Sequence, residues 1–321
     1  MESPTPPHSG NRDFVLAIDF GGTKIALATA DADGQILEAA RLETNAGNGA
    51  AQAIDRALGR AAALVAATEG RCLAVGAVSP GIVYPDRVGL APNLPGWEGL
   101  ALAQILRENL GVPQVELGND AKASALAEAR WGSLQGCDPA VLVNLGTGLS
   151  AGIIVGGSIL EGANGAAGEI GYNLRGLADE TGAADGRAPL EEFAAGRAIG
   201  ERGSRLLGET LDAAEVFAHP DVRARLLIDE ALAELSLHVA NLAILLNPAR
   251  IAVGGGLMSH GELVLAALER RLAFAAPFPP ELVPAEFLHD GPLRGAVALA
   301  LEAAGRDAPI DTDLPKVKTT S

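Results

Sequence analysis

Cysteine is nearly absent: Cys72 and Cys137 are the only two in 321 residues, so neither a disulfide framework nor a cysteine-rich metal site is available. Aromatic residues make up only 3% of the chain, so a core must be assembled from Ala, Leu, Val and Ile. Positive charge is also in deficit. Twenty-four Lys and Arg stand against 40 Asp and Glu, and the formal net charge of −16 argues against a nucleic-acid partner, whose phosphates most of the surface would repel. No apolar run reaches membrane-spanning length, and Met1–Arg12 contains no stretch of signal-peptide length, so no membrane association and a cytoplasmic location are expected. His219, His238, His260 and His289 are scattered without metal-ligand spacing and read as structural or exposed. No Ser-His-Asp grouping, Walker A loop or Rossmann fingerprint can be placed, which sets aside hydrolase, P-loop and dehydrogenase readings.

What is present is glycine, 40 residues of it, delivered to turns by apolar strands. The organising stretch is Val15–Leu27. Two short apolar runs flank Gly21-Gly22-Thr23-Lys24, a pattern that predicts a strand, a tight hairpin turn and a second strand. Backbone N–H groups at Gly21 and Gly22, the Thr23 hydroxyl and the Lys24 ammonium can converge on one anion. Asp19, at the end of the first strand, can hold a divalent cation through water. That combination suits a nucleotide's phosphates. The device recurs at Ala140–Leu145, Gly146-Thr147-Gly148 and Leu149–Val155, which suggests an internal duplication with two phosphate loops facing across a cleft.

Between and after these hairpins the pattern alternates as in an α/β protein. Gly34–Leu42 reads as a third strand, Gly49–Glu69 as a helix and Leu73–Val78 as a strand ending in the breaker Ser79-Pro80-Gly81, at the carboxyl end where open sheets bind ligands. Two prolines bracket Asn93 on an irregular loop. A helix over Gly99–Asn109 and a strand over Gln114–Leu117 lead to Gly118-Asn119-Asp120 and an alanine-rich helix over Ala121–Trp131. Asp120 at a helix start caps it, and the same position can point a carboxylate at a bound hydroxyl as a general base for phosphoryl transfer. Glu169 and Tyr172 lie close together in Gly168–Tyr172 and can hydrogen-bond a polyol. Helices are predicted over Leu190–Leu206, Ala213–His219 and Asp221–Leu246, followed by a strand over Arg250–Val253 that enters Gly254-Gly255-Gly256, where a flat base or ribose can lie against backbone. Helices over Glu262–Phe274 and Gly291–Ala304 complete the chain, the last expected to pack back on the N-terminal lobe.

Taken in order, these motifs resemble the ROK family (repressor, open reading frame, kinase) of the actin-like ATPase superfamily, from about Phe14 to Gly305. Asp19–Lys24 is similar to its first phosphate motif, Gly146–Gly148 to its second and Gly254–Gly256 to its adenosine motif. Ser79–Gly81, Pro92–Trp97, Asn119-Asp120 and Gly168–Gly171 resemble its sugar-binding signatures. The resemblance implies two ribonuclease-H-like α/β lobes around an interlobe cleft, usually in a homodimer. It also implies transfer of the γ-phosphate of Mg·ATP to the 6-hydroxyl of a hexose, with Asp120 as base. Sugar contact then falls on Gly81, Asn93, Asn119, Asp120, Glu169 and Glu191, with Tyr172 beside them, and Mg²⁺ on Asp19 through water. The expected division is a disordered 1–12, a small lobe of 13–118 plus about 292–305, a large lobe of 119–291 and a disordered 306–321.

One departure bears on the substrate. Family members commonly carry histidine where this chain has Tyr172, followed by a Cys-x-Cys-Gly-x-x-Gly-Cys-x-Glu segment, and histidine with three cysteines binds structural zinc. Here that segment reads Gly182 to Glu191 and lacks all four ligands, so no zinc is expected. Tyr172 in place of histidine should alter the pocket around the sugar, leaving glucose, an amino sugar such as kanosamine or N-acetylmannosamine, and a C7-cyclitol as acceptors. Two rivals of another class are a sugar-responsive repressor and a catalytically silent sugar-binding protein. The acidic charge and the dozen polar residues before Phe14 weigh against the first, and Asp19, Lys24 and Asp120 against the second.

Overall fold

The apolar runs on either side of the first glycine turn pair as the sequence suggests, and a sheet grows around them. The structure is a computed structural model describing residues 13–84, 86–89 and 95–305. The segments 1–12 and 306–321, and Asn93, lie outside the described residues. The chain divides into two units, Met1–Asp120 with Pro292–Ala308, and Ala121–Gly291 with Pro309–Ser321.

In the first unit, β1 (Phe14–Phe20), β2 (Lys24–Ala30) and β3 (Ile36–Glu43) form an antiparallel meander. Helix α1 (Ala50–Ala67) returns the chain to β4 (Cys72–Ser79), which lies parallel to β1. A small hairpin, β5 (Ile82–Val83) and β6 (Val88–Gly89), and helix α2 (Leu102–Leu110) precede β7 (Val115–Asn119), parallel to β4. The sheet order is β3-β2-β1-β4-β7. Val75 and Ala77 on β4 face a core shared with Ile54 and Ala57 of α1, Leu106 of α2 and Trp97, whose ring sits 5.2 Å from that of Phe20. Gly76, pointing to the other face, meets α9 (Gly291–Ala303): a Cβ there would fall 1.9 Å from the Ala296 carbonyl oxygen. This close approach brings the last helix back onto the first unit.

The second unit repeats the plan. Helix α3 (Asp120–Trp131) leads into the antiparallel β8 (Ala140–Leu145), β9 (Leu149–Val155) and β10 (Ser158–Ile159). The short α4 (Glu191–Ala194), α5 (Gly196–Leu207), α6 (Ala213–Ala218) and the long α7 (Val222–Leu246) follow. Then come β11 (Arg250–Gly254), α8 (Gly261–Ala275) and β12 (Glu281–Pro284), giving the order β10-β9-β8-β11-β12. Both units therefore contain an antiparallel meander extended by two parallel strands, the topological mark of a duplication. Val141, Val143 and Leu145 of β8 pack against α5, α7 and α8, while Ala140 and Leu142 pack against Ala125 and Ala129 of α3.

Two differences from the sequence reading have local causes. The helix predicted over Leu190–Leu206 breaks at Ala195, which is extended, because the Gly196 N–H leaves the helix ladder to donate to the Gly146 carbonyl at 2.9 Å. Strand β12 was not predicted, being a short edge strand that ends in proline. Cys72 on β4 is made inert by burial, which pushes its thiol up to about 11, and burial raises the Cys137 thiol as well.

The alanine-rich helix α3 carries two buried charges. Lys122 Nζ donates to Glu161 Oε2 at 2.6 Å and to the Gly165 carbonyl at 2.5 Å. Glu128, 1% exposed, accepts backbone N–H groups from Ser133 at 2.7 Å, Phe287 at 2.8 Å and Glu286 at 3.2 Å. Glu128→Ala removes the buried acceptor of three part-buried backbone N–H groups and is expected to cost about 3 kcal/mol. Glu128→Gln, which keeps an acceptor, should cost less, and urea midpoints at constant slope measure both.

Candidate active site

In the first unit the site residues collect at the carboxyl ends of the parallel strands β1, β4 and β7. The turn Gly21–Lys24 is fixed from behind by Thr44, fully buried, whose hydroxyl donates to the Gly21 carbonyl at 2.6 Å and whose N–H donates to the Thr23 carbonyl at 2.8 Å. With these carbonyls drawn inward, Gly22 and the side chains of Thr23 and Lys24 are exposed. Asp19 lies half-buried one residue before the strand's end. Burial, and then the neighbouring carboxylate of Asp120, pushes its pKa up to about 7. Ser79 and Asn119 pair across β4 and β7, and the Asn119 side-chain amide donates to the Gly81 carbonyl at 2.7 Å. Asp19, Gly81, Asn119 and Asp120 are thus drawn together within one unit. Asp120 opens α3, so helix geometry fixes where its carboxylate begins.

The second unit brings together Glu169, Tyr172 and Glu191, which the sequence separates by 22 residues. The Tyr172 phenol is raised above its ordinary value by burial and then by the negative charges of Glu169 and Glu191. Glu191 is anchored by the Leu149 N–H, which donates to Oε2 at 2.9 Å, and stands 3.8 Å from Arg197 Nη2. A Cβ at residue 148 would lie 2.5 Å from that same oxygen, so Gly148 also serves to admit the Glu191 carboxylate. The backbone of Gly168 is tied to β9 through the Ala151 N–H at 2.7 Å.

The second glycine hairpin and the triple glycine meet at one cavity of about 450 Å³, lined by Gly146, Thr147, Gly256 and residues of α5 and α6. Gly255 adopts φ 91°, and a side chain there would strike the Leu145 carbonyl at the hairpin's base. Sequence reasoning missed most of the wall: Arg197, Glu201, Phe217 and His260, with the Phe217 and His260 rings stacked at 4.6 Å and 20°. The available signal was the Asp212–Glu215 capping box, which starts the helix that carries Phe217.

The metal-binding chemistry of the two halves differs. Asp19 and Asp120 offer hard carboxylate oxygens in a half-buried setting that disfavours two adjacent negative charges, and this fits a hydrated divalent cation. A structural zinc does not fit the 182–192 segment, whose polar atoms are committed to one another. The Gly182 N–H donates to Asp185 Oδ2 at 3.0 Å, and Arg187 Nε donates to Glu192 Oε2 at 2.8 Å. Among the described residues no group of three or more His, Cys, Asp or Glu side chains is arranged to hold a metal ion.

The sequence profile of the ROK family matches residues 15–303. An N-acetylmannosamine kinase of Shigella boydii serotype 18 is 34% identical over 296 residues, which cover 89% of this chain and 97% of that kinase. Among solved structures, the ROK hexokinase from Thermus thermophilus superposes with a TM-score of 0.78 at 29% identity, covering 92% of this chain and 100% of that one. A ROK family glucokinase from Streptomyces griseus in complex with glucose and AMPPNP gives 0.75 at 28% identity, over 90% and 99% of the two chains. A profile match over nearly all the described residues, with a relative above 30% identity along the same span, means that the chain belongs to the ROK family and that its two five-stranded sheets are those of the actin-like ATPase fold.

Proposed function

We propose that the protein is an ATP-dependent sugar kinase that transfers the γ-phosphoryl group to the 6-hydroxyl of glucose or a glucose-like sugar. The observation that carries this reading is the placing of Asp19, near the end of β1, and Asp120, directly after β7, at the same carboxyl edge of one parallel sheet, where the charge of Asp120 adds to burial in raising the pKa of Asp19. Asp120 accepts the proton of the sugar hydroxyl as its oxygen bonds to the γ-phosphorus, and the bond to the β,γ-bridging oxygen breaks to release ADP. Asp19 would hold Mg²⁺ through water, and the ion when bound would supply charge neutralisation on the phosphates. Gly21, Gly22, Thr23 and Lys24 on one hairpin, and Gly146, Thr147 and Gly148 on the other, hold phosphate oxygens. Gly254, Gly255 and Gly256 admit the adenosine, for which the 450 Å³ cavity has the size and the stacked Phe217–His260 wall. Gly81, Asn93, Asn119, Glu169, Tyr172 and Glu191 contact the sugar.

A second acceptor is favoured by Tyr172. Its phenol feels the charges of Glu169 and Glu191, and the N-acetylmannosamine kinase relative supports an amino sugar, with a cyclitol also in range. A homodimer is supported by the exposed Leu245 and Phe274 on the packed pair α7 and α8. No helix among the described residues is long and apolar enough to cross a membrane, and we place the enzyme in the cytoplasm.

Asp120→Asn is expected to lower kcat by about 10²–10⁴-fold while ATP still binds, as measured by coupled ADP release and calorimetric titration across glucose, N-acetylmannosamine, N-acetylglucosamine, kanosamine and a valiolone-like cyclitol. Retention of substantial rate removes Asp120 as the base. Asp19 gives a separate test on stability. Its folded pKa of about 7 lies above the 3.8 of an ordinary aspartate, so its contribution is complete below pH 4 and is lost as pH rises through 7. In metal-free buffer Asp19→Asn should therefore melt a few degrees above the parent at pH 8 and lose that advantage at pH 4. Mg·ATP should restore the parent's melting temperature and not the variant's.

A further inference from the structure

The segments bearing Tyr172 and Glu191 are too short to hold themselves. Ile170–Tyr172 is a single 3₁₀ turn and α4 has four residues, well below the length at which a helix is self-supporting. Both lean on α7. Glu230, Glu234 and His238 recur every fourth residue along one face of that helix. The Asn173 side-chain amide donates to His238 Nδ1 at 3.2 Å, which puts the imidazole proton on Nε2, 3.5 Å from Glu234 Oε1. Arg175 Nε approaches the same oxygen at 3.7 Å. These three atoms are closed off from solvent, and none has a hydrogen bond to any other group. The Glu234 oxygen accepts and the two nitrogens donate, so small closing movements of Arg175 Nε–H and His238 Nε2–H toward that oxygen satisfy all three.

The second arm runs through Phe193. The guanidinium groups of Arg175 and Arg202 lie over its ring, 3.3 Å and 3.8 Å from the centroid. Arg202 also donates to the Phe193 carbonyl at 2.7 Å and to Glu230 Oε2 at 3.2 Å. Phe193 belongs to the same helical turn as Glu191, and Arg175 follows Tyr172 by three residues. One aromatic ring between two arginines, both referred back to α7, therefore fixes the spacing of Glu191 from Tyr172.

We propose that this side-chain clamp, and not a metal ion, sets the sugar-contacting geometry, with Arg175, Phe193 and Arg202 as positioning residues and Glu230, Glu234 and His238 as their anchor. The clamp takes over the fastening that thiolates and imidazole would provide, in a chain whose 182–192 segment has neither. It rests on the proposed function only for what Tyr172 and Glu191 touch.

The test compares Arg175→Met and Arg175→Lys with the parent full-length protein. Methionine keeps the apolar stem and removes the charge, while lysine keeps a cation for the Phe193 ring. Arg175→Met should raise KM for the sugar about tenfold with KM for ATP within about twofold of the parent, and Arg175→Lys should recover part of the loss. Amide exchange should quicken in 169–176 and 191–194 of the methionine variant, with α7 unchanged. The parent as purified should contain no stoichiometric zinc by plasma emission, and a zinc chelator removed before Mg²⁺ is restored should leave sugar KM unchanged. Stoichiometric zinc, or unaltered exchange and unaltered sugar KM in Arg175→Met, overturns the clamp. If the parent phosphorylates none of the sugars, the kinase reading fails and the exchange data alone decide the clamp. If Arg175→Met does not fold, exchange in Arg175→Lys decides it, and parental rates there count against it.

Discussion

Two carboxylates, Asp19 and Asp120, are kept close together in a half-buried place where each makes the other's charge more costly. Nothing in the local backbone would choose this. It persists because β1 and β7 flank β4 as parallel members of one sheet, whose core-facing residues Leu16, Ile18, Val75, Ala77 and Val115 are apolar and buried and hold the strand ends side by side. Destabilisation of this kind is usual for groups that must bind a cation and take a proton, and the surrounding core absorbs it.

The duplicated architecture explains why the glycine turns come in two copies while the acid does not. Asp19 sits opposite Ala26, one pair before the end of its hairpin, and the equivalent place in the second hairpin is Asn144, opposite Ser150. Both turns can offer backbone to phosphate, yet only the first carries a charge fit for a hydrated cation. In the second unit the corresponding space is filled by Gly255, packed against the Asn144 amide and the Leu145 backbone, and the chain beyond it lines the cavity.

Much of this was legible in the sequence because it depends on local rules. The second hairpin follows from two apolar runs around Gly146-Thr147-Gly148, and α7 from its apolar spacing between Asp221 and Asn247-Pro248. What depends on distant partners was hidden. Glu128 looks like a solvated helix glutamate until the backbone at 286–287 arrives to occupy it. The break at Ala195 reflects a hydrogen bond to a hairpin 50 residues upstream. His238, read as structural or exposed, lies buried against Asn173 and Glu234, an arrangement set by the folding of a loop for which no periodicity exists.

The inert thiols have a consequence for where such an enzyme can work. Cys72 is half-buried in a strand with its thiol pushed up to about 11, and Cys137 is buried at the edge of the α3 core with its thiol raised as well, so neither readily presents a thiolate to peroxide. Between residues 169 and 193, where carboxylates, guanidiniums and a phenyl ring are gathered, the chain has no sulfur at all, so an oxidant finds no thiolate or thioether there to attack.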